Sequence, residues 1–290
     1  MLSILIPVYR WDVRHLVHEL TAQAKQLGLE FELLVYDDCS GQQFFINEKI
    51  ATEYNQIRYK KMPVNLGRSV LRNRLAGDAR GTWLLFLDAD AQVIHPDYLR
   101  KYWEHRHRAP VSCGGTAYAT TPPRNPAHYL RWHYGRRREQ RSAATRQAAP
   151  YRAFSTFNFL IRRDTFRSVR FDERLREYGH EDTIFGWELA RRGIAIHHLD
   201  NPLRHEGLDA ATVFLAKTER SISNLFALSR YYPTFDTRLL RAYRLHPFIV
   251  KGVAMMEPLL RRQLLSKRPS LRVFDLWKLA VAARAAPAEG

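Results

Sequence analysis

The chain has 290 residues, 46% of them hydrophobic, enough for one sizeable α/β domain with an appendage and too apolar for wholesale disorder. Its formal net charge of +17 calls for a polyanionic surface or ligand, which nucleic acid, an anionic leaflet or a phosphorylated small molecule would each satisfy. Two cysteines far apart, Cys39 and Cys113, argue against a disulfide framework and for a reducing compartment. Residues 3–8 read as a short buried strand, and residues 14–27 as a helix with Leu16, Val17, Leu20, Ala24 and Leu27 at helical spacing, closed by Gly28. Residues 31–36 form a second apolar strand ending in Asp37-Asp38. A third strand is expected at 56–61, a helix at 69–79, and a fourth strand at 83–87 running into Asp88 and Asp90. This alternation predicts a parallel sheet with crossover helices. Ligands bind such sheets beyond the carboxyl ends of the strands, where all four aspartates sit.

The middle of the chain changes character. Residues 124–152 carry eight arginines against the single acid Glu139, a local charge of +7. Beyond it, 157–161 is strand-like and 182–192 helical, closed by Gly193. From residue 211 onward the sequence reads as helices rich in Leu, Tyr and Arg, one of them at 248–265, with a net charge of +9 over 211–290. The expected organisation is a catalytic domain over 1–208 and a helical, basic extension over 209–290. The short apolar run before Pro7 lacks a basic flank and a cleavage site, so it is not read as a signal peptide. No stretch approaches the ~20 apolar residues that span a bilayer. The location expected is cytoplasmic, free or peripheral on the cytoplasmic face of the membrane.

Asp88-Ala89-Asp90 directly follows Leu84-Leu85-Phe86-Leu87. Carboxylates one residue apart at a strand end can hold a hard divalent cation, Mg²⁺ or Mn²⁺, together with the phosphates of a substrate. At this point the chain resembles the family 2 glycosyltransferases, inverting enzymes of the GT-A fold. The resemblance rests on Ser3-Ile-Leu-Ile-Pro-Val-Tyr9, Leu33-Leu-Val-Tyr-Asp-Asp-Cys-Ser40, Asn65-Leu-Gly-Arg-Ser-Val-Leu-Arg-Asn73, Phe86-Leu-Asp-Ala-Asp90 and Gly179-His-Glu-Asp182 with Phe185-Gly-Trp-Glu-Leu189. These motifs stand in family order over about residues 2–206, with Arg10 where the family commonly has Asn and Leu71 in place of its usual Ala.

Carried over position by position, the resemblance implies a nucleotide-diphosphate sugar, most commonly a UDP-sugar, as donor. Pro7, Tyr9, Asp37, Asp38 and Arg72 would border the nucleotide, Asp88 the ribose side, and Asn158 the sugar or acceptor. Asp90 would meet the metal, with His205 reaching the same ion. Asp182 would be the general base, with Glu181 beside it holding geometry. The first turn of a helix would keep Asp182 ionised and ready to accept a proton. The acceptor would be a glycan or a lipid-linked molecule, in polysaccharide, lipopolysaccharide or other glycoconjugate synthesis.

Two other readings compete. A sugar nucleotidyltransferase would carry a Gly-rich loop after the first strand, and residues 7–12 contain no glycine. A nucleic-acid-binding module would explain the charge, yet no helix-turn-helix, zinc-finger or RNP-like motif is present, so no nucleic-acid partner is expected. The basic stretches with Trp132, Tyr134, Phe274 and Trp277 nearby are instead read as contacts to an anionic membrane surface.

Overall fold

The first strand, β1 (Leu2–Val8), shows how the pleat sorts this sequence. Leu2, Ile4, Ile6 and Val8 enter one buried cluster, and Leu5 enters the cluster on the opposite face of the sheet. The same division separates Leu33 and Val35 from Leu34 and Tyr36 in β2 (Phe31–Asp37), and Leu85 and Leu87 from Leu84 and Phe86 in β4 (Trp83–Leu87). Strands buried on both faces are continuously apolar, which is why these segments lack polar alternation.

The computed structural model describes residues 1–175, 179–232 and 234–286. Contacts divide the chain into two compact units. The first comprises Met1–Tyr118, Glu139–Arg176 and Glu181–Gly207. Its main sheet has seven strands in the order β3-β2-β1-β4-β8-β6-β9, with β3 at Ile57–Lys61, β6 at Val111–Cys113, β8 at Asn158–Arg162 and β9 at Ile196–His198. Strands β1 to β4 are mutually parallel where they pair, and β8 runs antiparallel to both β4 and β6. Helices Arg14–Gln26 and Tyr98–His105 cover one face, and Arg68–Asp78, Arg163–Val169 and Glu181–Arg191 the other. The chain builds β1, β2 and β3 outward and then returns to place β4 on the other side of β1. That reversal opens a crevice at the carboxyl ends of β1 and β4, the place where open α/β sheets bind ligands. This is a mostly parallel α/β sheet of the GT-A type.

A second sheet of three short strands, in the order β5 (Ala91–Gln92), β10 (Leu203–His205), β7 (Thr116–Ala117), sits in the same unit. Its antiparallel register sets His205 against Ala91.

The second unit, Ala119–Arg138, Glu177–His180 and Leu208–Gly290, is helical. Helix Ala211–Tyr231 packs on Leu271–Ala285, with Phe214 and Phe274 stacked 5.4 Å apart. Helices Arg238–Leu245, Pro247–Met255 and Glu257–Leu264 pack against the same C-terminal helix. The single helix expected at 248–265 is broken at Met256. Pro258 supplies the reason, because it has no N–H to bond back and its ring would strike the preceding turn. Among the described residues no helix is long and apolar enough to cross a membrane. Trp132, Phe274 and Trp277, expected at a membrane surface, are instead buried, the Trp132 indole donating to Ala119 O and that of Trp277 to Glu257.

Candidate active site

The crevice is built from loops that the strands themselves tie together. The Asp38 amide donates to Val8 O at 2.8 Å, and the Arg10 amide donates to Ser40 Oγ at 2.7 Å, so the turns after β1 and β2 are tied to each other. Asp37 accepts from the Ser40 amide at 2.7 Å. Asp38 accepts from the amides of Leu66 and Gly67 at 2.7 and 3.0 Å. Gly67 enters the following helix at φ 81°, a conformation open to glycine and strained for other residues. Burial pushes the Asp38 carboxyl up, against the two amide bonds that pull it down. Both acids therefore frame the turn, their carboxylates anchored by backbone amides. Pro7 lies partly buried below the rim, and Tyr9 stands 48% exposed with the Arg10 guanidinium over its ring.

The acids after β4 are organised by arginines. Arg72, 1% exposed, places Nη2 2.8 Å from Asp88 Oδ1 and Nη1 3.6 Å from Glu181 Oε1. One helical turn earlier, Arg68 reaches the same Glu181 oxygen at 3.2 Å. A single buried guanidinium thus joins the strand-end carboxylate to the acidic start of helix Glu181–Arg191, some hundred residues later in the chain. Burial alone would raise the Glu181 carboxyl, and Arg68 and Arg72 override it and hold it low. Asp182 is pushed the other way, up to about 6, first by burial and then by the negative charge of Glu181, despite accepting from the Thr183 amide at 2.7 Å. The Asp182 carboxyl, expected to stay ionised, is less acidic than an ordinary aspartate yet still mostly ionised at pH 7. Two adjacent carboxylates with pKa values driven apart are a signature of divided acid–base roles.

Asp90 and His205 converge, with Asp90 Oδ2 and His205 Nε2 3.6 Å apart. The β5–β10 ladder brings them together, and the Glu206 amide donates to Asp90 O at 2.9 Å. His205 is held flat between the rings of Tyr118 and Phe157, at 5.5 and 5.3 Å. Burial raises the Asp90 carboxyl, an effect that nearby His205 opposes and Asp88 reinforces. Gly207 backs the pair, and a Cβ there would collide with Asp90 Oδ2. The carboxylate suits Mn²⁺ or Mg²⁺, whereas an imidazole beside it favours a transition-metal ion over Mg²⁺. No group of three or more His, Cys, Asp or Glu among the described residues could hold an ion alone. An ion here would therefore take its remaining ligands from water and a substrate diphosphate, a sharing that is ordinary for these cations.

Asn158, expected to face the sugar or acceptor, is 2% exposed and fully engaged within the fold. Its Oδ1 accepts from the hydroxyls of Tyr98 and Tyr102, and its Nδ2 donates to Gly115 O and Asn201 O. Those four bonds exhaust the capacity of an amide side chain. Two contributors escaped the sequence reading. Arg68 could have been found from its i, i+4 spacing to Arg72 on one helix face. Gly207 gave no signal, because its value lies in a close approach made only in three dimensions.

Comparison with known proteins bears on the family and the fold. The description "Glycosyl transferase family 2" matches residues 3–170, more than half of the chain. A Haemophilus influenzae protein described as an uncharacterized glycosyltransferase is 35% identical over 135 residues, covering 42% of this chain. The chain spans 44% of the length of that relative. Among solved structures, residues 1–349 of S. aureus TarS superpose with a TM-score of 0.51 at 17% identity, over 98% of this chain and 91% of that one. The same fragment has been solved with UDP, at a TM-score of 0.50, 18% identity and the same coverage. The Pyrobaculum calidifontis mannosyltransferase PcManGT, solved with GDP-Man and Mn²⁺, gives a TM-score of 0.56 at 13% identity, over 98% of this chain and 86% of that one. Likenesses at such low identity establish the fold, and the family match establishes the lineage: the chain belongs to glycosyl transferase family 2.

Proposed function

We propose that the protein is an inverting glycosyltransferase that moves a sugar from a nucleoside-diphosphate sugar, UDP being the first carrier to try, onto an acceptor hydroxyl. The observation that carries this reading is the Asp88–Arg72–Glu181 bridge, which ties the Asp-Ala-Asp strand end to the residue just before the base candidate Asp182. Pro7, Tyr9 and the Asp37-Asp38 turn border the nucleotide, and Asp88 and Arg72 lie on its ribose and phosphate side. Asp90 and His205 would hold a divalent cation, which would neutralise charge on the departing diphosphate without a proton transfer. Asp182 takes the acceptor proton as the hydroxyl attacks. Its raised pKa makes it a stronger base than an ordinary aspartate, while it stays largely ionised at neutral pH. Glu181, held ionised by Arg68 and Arg72, positions Asp182 and keeps that pKa high.

One base acting on the acceptor, with no nucleophile assigned to the sugar, gives inversion and a β-linked product from an α-linked donor. A glycan or lipid-linked molecule on the cytoplasmic side fits as acceptor. The test is release of nucleoside diphosphate from UDP-, GDP- and dTDP-sugars, with Mn²⁺ or Mg²⁺, by the parent and by Asp182→Asn. Turnover of at least one donor by the parent, lost in the variant, supports the reading. Equal release by both proteins removes Asp182 as base, and no release from any donor by folded protein removes the reaction.

A further inference from the structure

Within the helical unit, helix Pro247–Met255 is apolar on both sides save for the single charge of Lys251. Val250 is buried toward Leu271–Ala285, with Val253 and Ala254 partly covered. The opposite side exposes Phe248 by 87%, Ile249 by 57% and Met255 by 87%. Phe248 and Met255 stand seven residues apart, so they share one stripe, with Lys251 and Gly252 between them at i+3 and i+4. The stripe continues through Met256 and Leu259, 50% and 64% exposed, and Leu245 lies just before it at 65%. Six large apolar side chains within fifteen residues form an exposed patch of a kind that marks an interaction site.

Charge decides what covers it. Residues 238–268 hold eight Lys and Arg and one acid, Glu257, a net charge of +7. Glu257 is turned inward to accept from the Trp277 indole, and Arg241 and Arg261 are paired with Asp236 and Glu219. Arg244, Lys251, Arg262, Lys267 and Arg268 are exposed or at the rim, with no acidic partner shown for them among the described residues. A second copy of this chain would set this cationic rim against an identical one, whereas an anionic lipid surface meets both the apolar stripe and its charges.

We infer that helices Arg238–Leu245, Pro247–Met255 and Glu257–Leu264 dock the protein on an anionic membrane surface, inserting Phe248, Ile249, Met255, Met256 and Leu259 among the acyl chains while Lys251 and the flanking arginines meet lipid phosphates. The anchor is thus a set of aliphatic and phenyl side chains on these short helices, and the buried tryptophans take no part. It is independent of the transfer reaction.

Sedimentation of the full chain with vesicles tests this. The parent should pellet with vesicles of equal parts phosphatidylcholine and phosphatidylglycerol and remain in solution with phosphatidylcholine alone. Binding should weaken as salt is raised. The double variant Phe248→Ser/Met255→Ser should lose about tenfold or more in partition, and Lys251→Glu a several-fold share. All three side chains are exposed, so the melting temperature and nucleotide binding of the variants should match the parent, and those readouts separate failure of docking from failure of the proposed reaction. No binding to the anionic vesicles overturns the inference, as does binding that both variants leave unchanged. A dimer of the parent in light scattering that Phe248→Ser/Met255→Ser dissolves would assign the face to a second copy instead.

Discussion

Replacing Asp182 by Asn should inactivate the protein and at the same time stabilise it. The carboxyl is raised from an ordinary 3.8 to about 6 by burial and by Glu181, so its ionised form is disfavoured in the folded state. Raising the carboxyl from 3.8 to about 6 costs the ionised form at most roughly 3 kcal/mol, because the side chain is only partly buried. Between pH 3.8 and 6 the folded protein binds more protons at this site than the unfolded chain, so this group costs stability progressively as pH rises through that window. The cost is absent below the window and complete above it. Asparagine has no charge to disfavour and can still accept from the Thr183 amide. Urea unfolding at pH 7.5 should therefore show the variant about 1–3 kcal/mol more stable than the parent, with the gap closing toward pH 4. The same variant should lose about 10²-fold or more in transfer, the scale of a general base. A gap that does not change with pH, or a variant less stable at pH 7.5, would refute the electrostatic account of Asp182.

The transfer rate of the parent should rise as pH passes through about 6 and level off above it, since the base must be ionised; a profile flat from pH 5 to 8 would exclude Asp182 as the titrating group. Arg72→Met should cost about 3 kcal/mol in urea unfolding, because Asp88 and Glu181 lose a buried cation, and Arg72→Lys should recover little because an ammonium cannot bridge both. Gly207→Ala should weaken metal-dependent nucleotide binding by about tenfold with an almost unchanged melting temperature, since the added methyl displaces the Asp90 carboxylate and nothing in the core. Unaltered binding would remove Asp90 from the metal position.

The parts of this structure legible in the sequence are those that local patterns determine. Strands buried on both faces announce themselves as apolar runs, and acids at their ends mark the crevice, so β1 to β4 and Asp37, Asp38, Asp88 and Asp90 stand where the pattern put them. The short strands β6 and β9 were missed because three residues carry no usable period, and the antiparallel direction of β8 is a property of the long connection before it. Site chemistry was legible as residue identity and hidden as pairing. Nothing local shows that Arg72 bridges Asp88 to Glu181, that Asn158 is consumed by Tyr98, Tyr102, Gly115 and Asn201, or that Trp277 is wholly interior while Phe248 is bare. Each of these depends on which elements pack together, and aromatic residues beside arginines look the same in sequence whether they face lipid or the core.

The central claim is a nucleotide site completed by a divalent ion at Asp90, and calorimetry tests it most directly. UDP should be titrated into the parent and into Asp90→Ala, each with and without Mn²⁺, with GDP and dTDP in the same cell should UDP fail. The account predicts binding that Mn²⁺ strengthens in the parent and that collapses in Asp90→Ala. Folded parent protein that binds no nucleoside diphosphate, with or without the metal, would contradict it.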